Sequence, residues 1–179
     1  HEMGHGLHQV RTQGDGVGVS GINGVEWDAV ELPSQFMENF VWENGVLHGM
    51  SEHETTHEAL PKARYGKMIA AKNFQSGLQP LRQIESGSFD MLIYQQSAAD
   101  NWAQVLQEVR REVAVLPSME YNRFAHSFGH IFAGGYSAGY YSYKWAELLS
   151  ADAYSAFEET MDVEAMGQKF WREVLAVGG

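Results

Sequence analysis

The sequence contains no cysteine and no long hydrophobic run, and each absence excludes a class of structure. Without cysteine the chain can form neither a disulfide nor a thiolate metal site, and its composition fits a reducing compartment. No stretch approaches the roughly 18 consecutive apolar residues of a membrane-spanning helix, and the N-terminal residues lack the basic and apolar pattern of a secretion signal. We therefore expect no membrane partner and predict a cytoplasmic location.

Basic residues are also scarce. The 179 residues include 12 Lys and Arg against 23 Asp and Glu, which gives a formal net charge of −11. This charge repels nucleic acid and anionic lipid, so neither is expected as a partner. With 44% hydrophobic residues, the chain is nevertheless apolar enough to bury a sizeable core.

Apolar residues recur at helical spacing and almost never alternate with period two, so the predicted fold class is mainly α. The chain lacks Met at position 1 and ends in AVGG, so residues 1–179 are expected to be a single fragment of a longer sequence. The glycine-laden residues 14–24 predict a loop. The helical predictions cover 1–13, 25–44, three helices within 61–115 (61–75, 77–97 and 101–115), a loop and helix over 126–158, and 162–176.

The first chemical motif is the opening HEMGHGLH, whose first five residues match H-E-x-x-H. On a helix, His1 and His5 project from one face and can bind one ion, while Glu2 can take the proton of a bound water. A catalytic zinc site needs a third protein ligand. The acidic segment after the glycine-rich loop leaves four candidates open: Glu26, Asp28, Glu31 and Glu38.

A second H-E-x-x-H match, HETTH, occupies residues 53–57. Its threonines are β-branched and Pro61 follows closely, so a helix there would be short. We expect a solvated surface turn. The alternative is a helical metal-binding module that uses His48, His53 and His57.

The third motif is SFGHIFAGGYSAGYYSYKW. Tyr136, Tyr140 and Tyr143 are spaced i, i+4, i+7, so on a helix their phenols would share one face. Core packing is the ordinary explanation of such a stripe. The Gly134-Gly135 pair and His130 just before it favour a loop that closes over a substrate.

HEMGHGLHQ, VELPSQFMENFVWE and the aromatic motif occur in an order that closely resembles the thimet oligopeptidase family of zinc peptidases. The resemblance implies the helical part of a zincin-like oligopeptidase catalytic domain, truncated at both ends. It also implies hydrolysis of short peptides with one zinc ion, an activity that a fragment would perform poorly alone. The alternative is a non-catalytic helical fragment that folds by self-association without zinc.

Carried over by position, the resemblance makes His1, His5 and Glu31 the zinc ligands. It makes Glu2 the general base. Glu38 lies two turns further along the predicted helix, where it either orients a ligand histidine or is a solvated helix charge. The resemblance implies catalytic roles for His130, Tyr140 and Tyr143, and substrate-binding roles for Tyr136, Gly134 and Gly135.

Overall fold

The computed structural model describes residues 1–95 and 101–179. This described part is helical and contains no β-strand, which confirms the predicted fold class. A 3₁₀ turn covers Phe124–Ser127, and a π-helical turn covers Trp171–Leu175. The helices are α1 (Glu2–Arg11), α2 (Trp27–Val30), α3 (Leu32–Phe40), α4 (Asn44–Met50), α5 (Lys62–Lys72), α6 (Leu78–Gln95), α7 (Trp102–Val113), α8 (Gly129–Phe132), α9 (Ser142–Glu159) and α10 (Val163–Phe170).

Two compact units make up the fold. The first consists of His1–Phe74 and Trp145–Gly179, and the second of Gln75–Lys144. Within the described residues, no helix is both long enough and apolar enough to cross a membrane.

The helix boundaries differ from the predicted ones, most clearly between residues 25 and 50. The segment predicted as one helix over 25–44 forms α2 and α3, which meet at Glu31. Pro33 lies in the first turn of α3, where a missing backbone N–H costs nothing. Helix α4 was not predicted at all. The predicted residues 96–97 of the helix 77–97 lie outside the described residues.

An aromatic cluster forms the core of the first unit. Phe36 of α3 is 2% exposed, and its ring stacks on Phe170 of α10 with 4.0 Å between centroids. Phe157 of α9 approaches the same ring at 5.1 Å, and Phe40 contacts Tyr154 at 5.3 Å. Such pairs contribute about 0.5–1.5 kcal/mol each beyond the burial of their area. The cluster therefore holds α3 in a defined position within this unit.

Helix α1 packs against α3 and against the π-helical turn. At its end, the Trp171 indole donates a hydrogen bond to the Arg11 carbonyl at 3.0 Å, and the Arg11 guanidinium lies 5.0 Å from the Trp171 ring centroid. At its start, α1 approaches α3 closely: a Cβ on Gly4 would lie 2.4 Å from Pro33 O and from Ser34 Cα. Only glycine fits this contact.

The second unit packs α6 against α7. Phe89 and Ile131 are fully buried in its core. The buried Glu85 carboxylate pairs with Arg82 at 2.6 Å and with Arg110 at 2.8 Å, which ties α6 to α7. A buried charge needs such partners, because its desolvation is otherwise costly.

Candidate metal centre

Three side chains of the first unit converge on one point. The Nε2 atoms of His1 and His5 lie 3.4 and 3.3 Å from Glu31 Oε2. Within residues 1–95 and 101–179, this is the one group of three His, Asp or Glu residues whose ligand atoms all lie within 4.8 Å of one another. We call His1, His5 and Glu31 the metal triad.

The spacing of the metal triad fits a tetrahedral ion. With bonds of about 2.1 Å, a tetrahedral zinc site separates neighbouring ligand atoms by about 3.4 Å. The two His–Glu distances, 3.4 and 3.3 Å, agree with that value. Two imidazoles and one carboxylate are also a known donor set of catalytic zinc, which leaves a fourth position for water. The three residues therefore fit a zinc ion.

Glu31 reaches the histidines from the junction of α2 and α3, where it is 2% exposed. The Ser34 hydroxyl lies 2.8 Å from Glu31 Oε2 and 2.9 Å from the Glu31 carbonyl oxygen, and it donates to these acceptors. Ser34 is fully buried, so this contact restrains the carboxylate without competition from bulk water. Of the four acidic candidates, the structure brings Glu31 against both histidines.

Glu38 lies on the outer side of the metal triad. Its Oε1 is 2.6 Å from His1 Nδ1, so it contacts the ring nitrogen that does not face Glu31. Burial raises the pKa of the Glu38 carboxyl; the α-amino group of His1 lowers it, and the Glu147 and Glu31 carboxylates raise it. A carboxylate on Nδ1 selects the tautomer whose Nε2 lone pair faces an ion.

His8 also lies on α1, and sequence reasoning did not single it out. Positions 1, 5 and 8 are spaced i, i+4, i+7, a signal that could have found it. His8 is 3% exposed, and neither of its ring nitrogens has a hydrogen-bond partner among the described residues. Burial, and then the charge of His5, lower the pKa of His8. The buried imidazole is therefore neutral at pH 7.

Glu2 belongs to the first turn of α1 and lies between His1 and His5 in the sequence. Its side chain is exposed. The Glu2 carboxylate is therefore open to solvent.

In the second unit, four rings gather around the Gly134-Gly135 segment. The His130 ring lies 6.1, 5.6 and 5.9 Å from those of Tyr136, Tyr140 and Tyr143. Tyr143 stacks on Tyr136 at 5.0 Å and contacts Tyr140 at 5.2 Å. We call these residues the His/Tyr cluster.

The interpretation of the three tyrosines as one helix face is wrong. Helix α9 begins at Ser142, so Tyr143 is helical while Tyr136 and Tyr140 lie in the preceding turn. Ala138 interrupts any helix, because its φ of 53° is left-handed. The rings still meet, through the turn and not through helical periodicity.

A residue that the sequence analysis missed supports this turn. Asp90 of α6 is fully buried, and it accepts hydrogen bonds at 2.9 Å from the backbone N–H groups of Ala138 and Tyr140. Burial raises the pKa of Asp90, and these N–H groups, with that of Gly139, lower it. The signal in the sequence is a lone acid in the apolar stretch SFDMLI. Burial likewise raises the pKa of Tyr140, which keeps its phenol protonated.

The second H-E-x-x-H match forms a turn, as predicted. His53 Nδ1 accepts hydrogen bonds from the Thr55 and Thr56 N–H groups at 3.1 and 3.2 Å. His57 Nδ1 lies 3.1 Å from Glu52 Oε1. Within the described part of the chain these residues form no group with metal-ligand spacing.

The whole chain is similar to one known protein family. The model of peptidase family M3 matches residues 1–179. The chain belongs to peptidase family M3. The family predicted from the three motifs is thereby confirmed.

Relatives within family M3 include oligopeptidase A from Escherichia coli and from Salmonella typhimurium, each 52% identical to this chain over its whole length. Saccharolysin from Saccharomyces cerevisiae is 34% identical, also over the whole chain. The chain covers 27% of each oligopeptidase A and 26% of saccharolysin. It therefore spans about a quarter of the length of these M3 peptidases.

Proposed function

We propose that this chain carries the metal site and catalytic groups of a zinc-dependent endopeptidase that hydrolyses short oligopeptides. The main support is the metal triad. The Nε2 atoms of His5 and His1 lie 3.3 and 3.4 Å from Glu31 Oε2, distances that suit a tetrahedral ion. Membership in family M3 and the names of the oligopeptidase relatives support the substrate class.

His1, His5 and Glu31 hold one zinc ion in this proposal. When bound, zinc supplies Lewis acidity toward the scissile carbonyl and lowers the pKa of its water. Glu2 accepts a proton as water attacks that carbonyl, and it then donates the proton to the departing amine. Glu38 orients His1 through Nδ1, at 2.6 Å.

The family resemblance assigns the His/Tyr cluster to the substrate. In this proposal the phenol of Tyr143, with Tyr140 and His130, donates to the oxyanion of the tetrahedral intermediate. One such donor contributes about 2.7–4 kcal/mol to the transition state. Tyr136 and the Gly134-Gly135 backbone bind the peptide.

Activity is expected to be weak in the isolated chain. The chain spans 27% of each oligopeptidase A, so the substrate contacts of those enzymes need not all be present. The proposed partners are short peptides, and the proposed compartment is the cytoplasm, consistent with the absence of cysteine.

Exposed apolar side chains favour a second candidate, a non-catalytic fragment that self-associates without zinc. Val17 is 90% exposed, Tyr121 77% and Phe74 76%. Burial of such surface drives association. A monomer in sedimentation at micromolar concentration, with or without zinc, would exclude this candidate.

Replacement of the proposed base tests the enzymatic function. Glu2→Gln is expected to retain zinc and to lose about 10²–10⁴-fold in hydrolysis of a quenched-fluorescence peptide, the typical share of a general base. Glu54→Gln is the matched control, because Glu54 holds the same place in the second H-E-x-x-H match. Metal content and peptide hydrolysis are measured on the wild-type protein and on both variants. Retention of hydrolysis by Glu2→Gln would remove Glu2 from the mechanism.

A further inference from the structure

A buried carboxylate holds the turn that precedes α9. Asp90 has no exposed surface. Its Oδ1 accepts the Ala138 N–H and its Oδ2 the Tyr140 N–H, both at 2.9 Å. Both oxygens of one side chain are thus bound to backbone donors of one turn, which is a bidentate, charge-assisted contact. Asp90 is separated from these donors by about fifty residues of sequence.

The turn needs an external restraint. Ala138 has a φ of 53°, a left-handed conformation that a residue with a Cβ adopts only when its surroundings impose it. Successive N–H groups around such a residue point to one side and form a concave anion-binding surface. The Asp90 carboxylate occupies that surface, so the anion that stabilises the strained turn comes from the chain itself.

One helical turn beyond Asp90, a second side chain of α6 holds the other end of the same segment. The Tyr94 hydroxyl donates to the Ile131 carbonyl at 2.9 Å and lies 3.2 Å from Ser137 Oγ. The Ser137 hydroxyl itself donates to the Ile131 carbonyl at 2.7 Å. Helix α6 therefore holds the segment between Ile131 and Tyr140 at both ends.

We propose that Asp90 is a positioning residue that sets the rings of the His/Tyr cluster for substrate. The inference rests on the proposed function, in which this cluster binds the peptide and its oxyanion. Asp90 is fully buried and acts only through the backbone: Tyr140 is bound directly, and Tyr143 follows three residues later, in the first turn of α9.

Asp90→Asn tests the proposal in the full-length product of the gene that encodes this chain. The asparagine keeps the shape and one acceptor oxygen of the aspartate, but its NH₂ group is a donor and cannot accept from the second N–H. The turn therefore loses one of its two hydrogen bonds to residue 90. We expect kcat to fall about 10–100-fold, because a misplacement of about 1 Å costs on that order. KM should change less than threefold and zinc affinity should be unchanged, since the metal triad belongs to the other unit.

Glu85→Gln is the matched control. Glu85 is also a buried acid of α6 and is also bound by charged donors, but its partners are Arg82 and Arg110 and not the turn. A loss of kcat in Asp90→Asn that Glu85→Gln does not share supports the proposal. Equal kcat values in the two folded variants would overturn it.

Tyr94→Phe is the second variant, and it removes only a hydroxyl from a side chain that is 46% exposed. We expect it to fold even if Asp90→Asn does not, and the proposal expects a fall in kcat of about threefold to tenfold. An unchanged kcat in Tyr94→Phe, together with loss of folding in Asp90→Asn, would count against a positioning role and assign Asp90 to stability alone.

A readout independent of hydrolysis separates this inference from the proposed function. Amide hydrogen exchange at Ala138 and Tyr140, and nuclear Overhauser contacts between His130 and Tyr143, report the turn and the rings directly. If the unmodified protein shows no zinc-dependent hydrolysis, the proposed function fails. Asp90 still positions the cluster if these two signals are lost in Asp90→Asn and kept in Glu85→Gln. Their persistence in Asp90→Asn would refute the positioning role.

Discussion

Gly4→Ala should separate α1, which carries His1 and His5, from α3, which begins just after Glu31. A Cβ at this position would lie 2.4 Å from Pro33 O and Ser34 Cα, both backbone atoms that cannot rotate away. The helices must part by about 1 Å to restore ordinary contact, several times the tolerance of about 0.2 Å on metal–ligand distances. His1 and His5 would move with α1, and Glu31 would stay with α3.

The expected loss of zinc affinity follows from the cost of overpacking. An inserted methyl in a tight contact costs about 1–3 kcal/mol. At about 1.4 kcal/mol per tenfold, zinc should bind about 5- to 150-fold more weakly if the contact must be re-formed to close the site. The assay is a zinc titration against a competing chromophoric chelator, with circular dichroism to show that the helices remain.

Gly6→Ala is the control, since a Cβ on Gly6 meets no heavy atom within 4 Å. Both glycines belong to α1, so both variants gain about 1 kcal/mol of helix propensity. The difference between them isolates the contact with Pro33 and Ser34. Equal zinc affinity in the two variants would show that the close approach does not position the metal triad.

Three further outcomes follow. Glu38→Gln should weaken zinc binding about 10–100-fold, because His1 Nδ1 loses its carboxylate partner; calorimetric titration measures this, and wild-type affinity would contradict it. Phe36→Ala should cost about 3–5 kcal/mol in the free energy of unfolding and Phe74→Ala, at an exposed site, less than about 0.5, as denaturant titration would show. His8→Leu should remove part of the pH dependence of stability. Burial lowers the pKa of His8 below 6.5, so as the pH falls below 6.5 the metal-free chain binds this proton more readily unfolded than folded. The stability of the wild-type protein should therefore decline below pH 6.5. An equal decline in His8→Leu would refute this role of His8.

The metal triad could be predicted to different degrees from the sequence. His1 and His5 follow from spacing alone, because four residues on a helix bring two side chains to one face. Glu31 does not, since Glu26, Asp28 and Glu38 were equally open by composition. Its selection depends on the break between α2 and α3, where Glu31 is buried against both histidines. Pro33 marks the start of α3, but no local pattern shows which of the four acids faces the histidines.

For the His/Tyr cluster, the sequence spacing grouped the three tyrosines correctly, but the helix face that it predicted is not what brings them together. Spacing predicted a shared helix face for Tyr136, Tyr140 and Tyr143. The structure brings the rings together through a left-handed turn at Ala138, held by Asp90 from about fifty residues away. Helical periodicity cannot report a contact of that range, and alanine is not a residue that signals a left-handed turn.

In the first unit, burial of the Glu31 carboxylate costs stability, although Glu31 is one of the proposed metal ligands. Glu31 is 2% exposed, so its carboxylate loses most of its hydration on folding. The Ser34 hydroxyl donates to it at 2.8 Å, and the Nε2 atoms of His1 and His5 lie 3.4 and 3.3 Å away. An apolar residue at position 31 would pack at lower cost. A dication held by the metal triad would offset part of that desolvation cost. The aromatic core around Phe36 and the contact at Gly4 supply the rigidity that holds this costly arrangement in place.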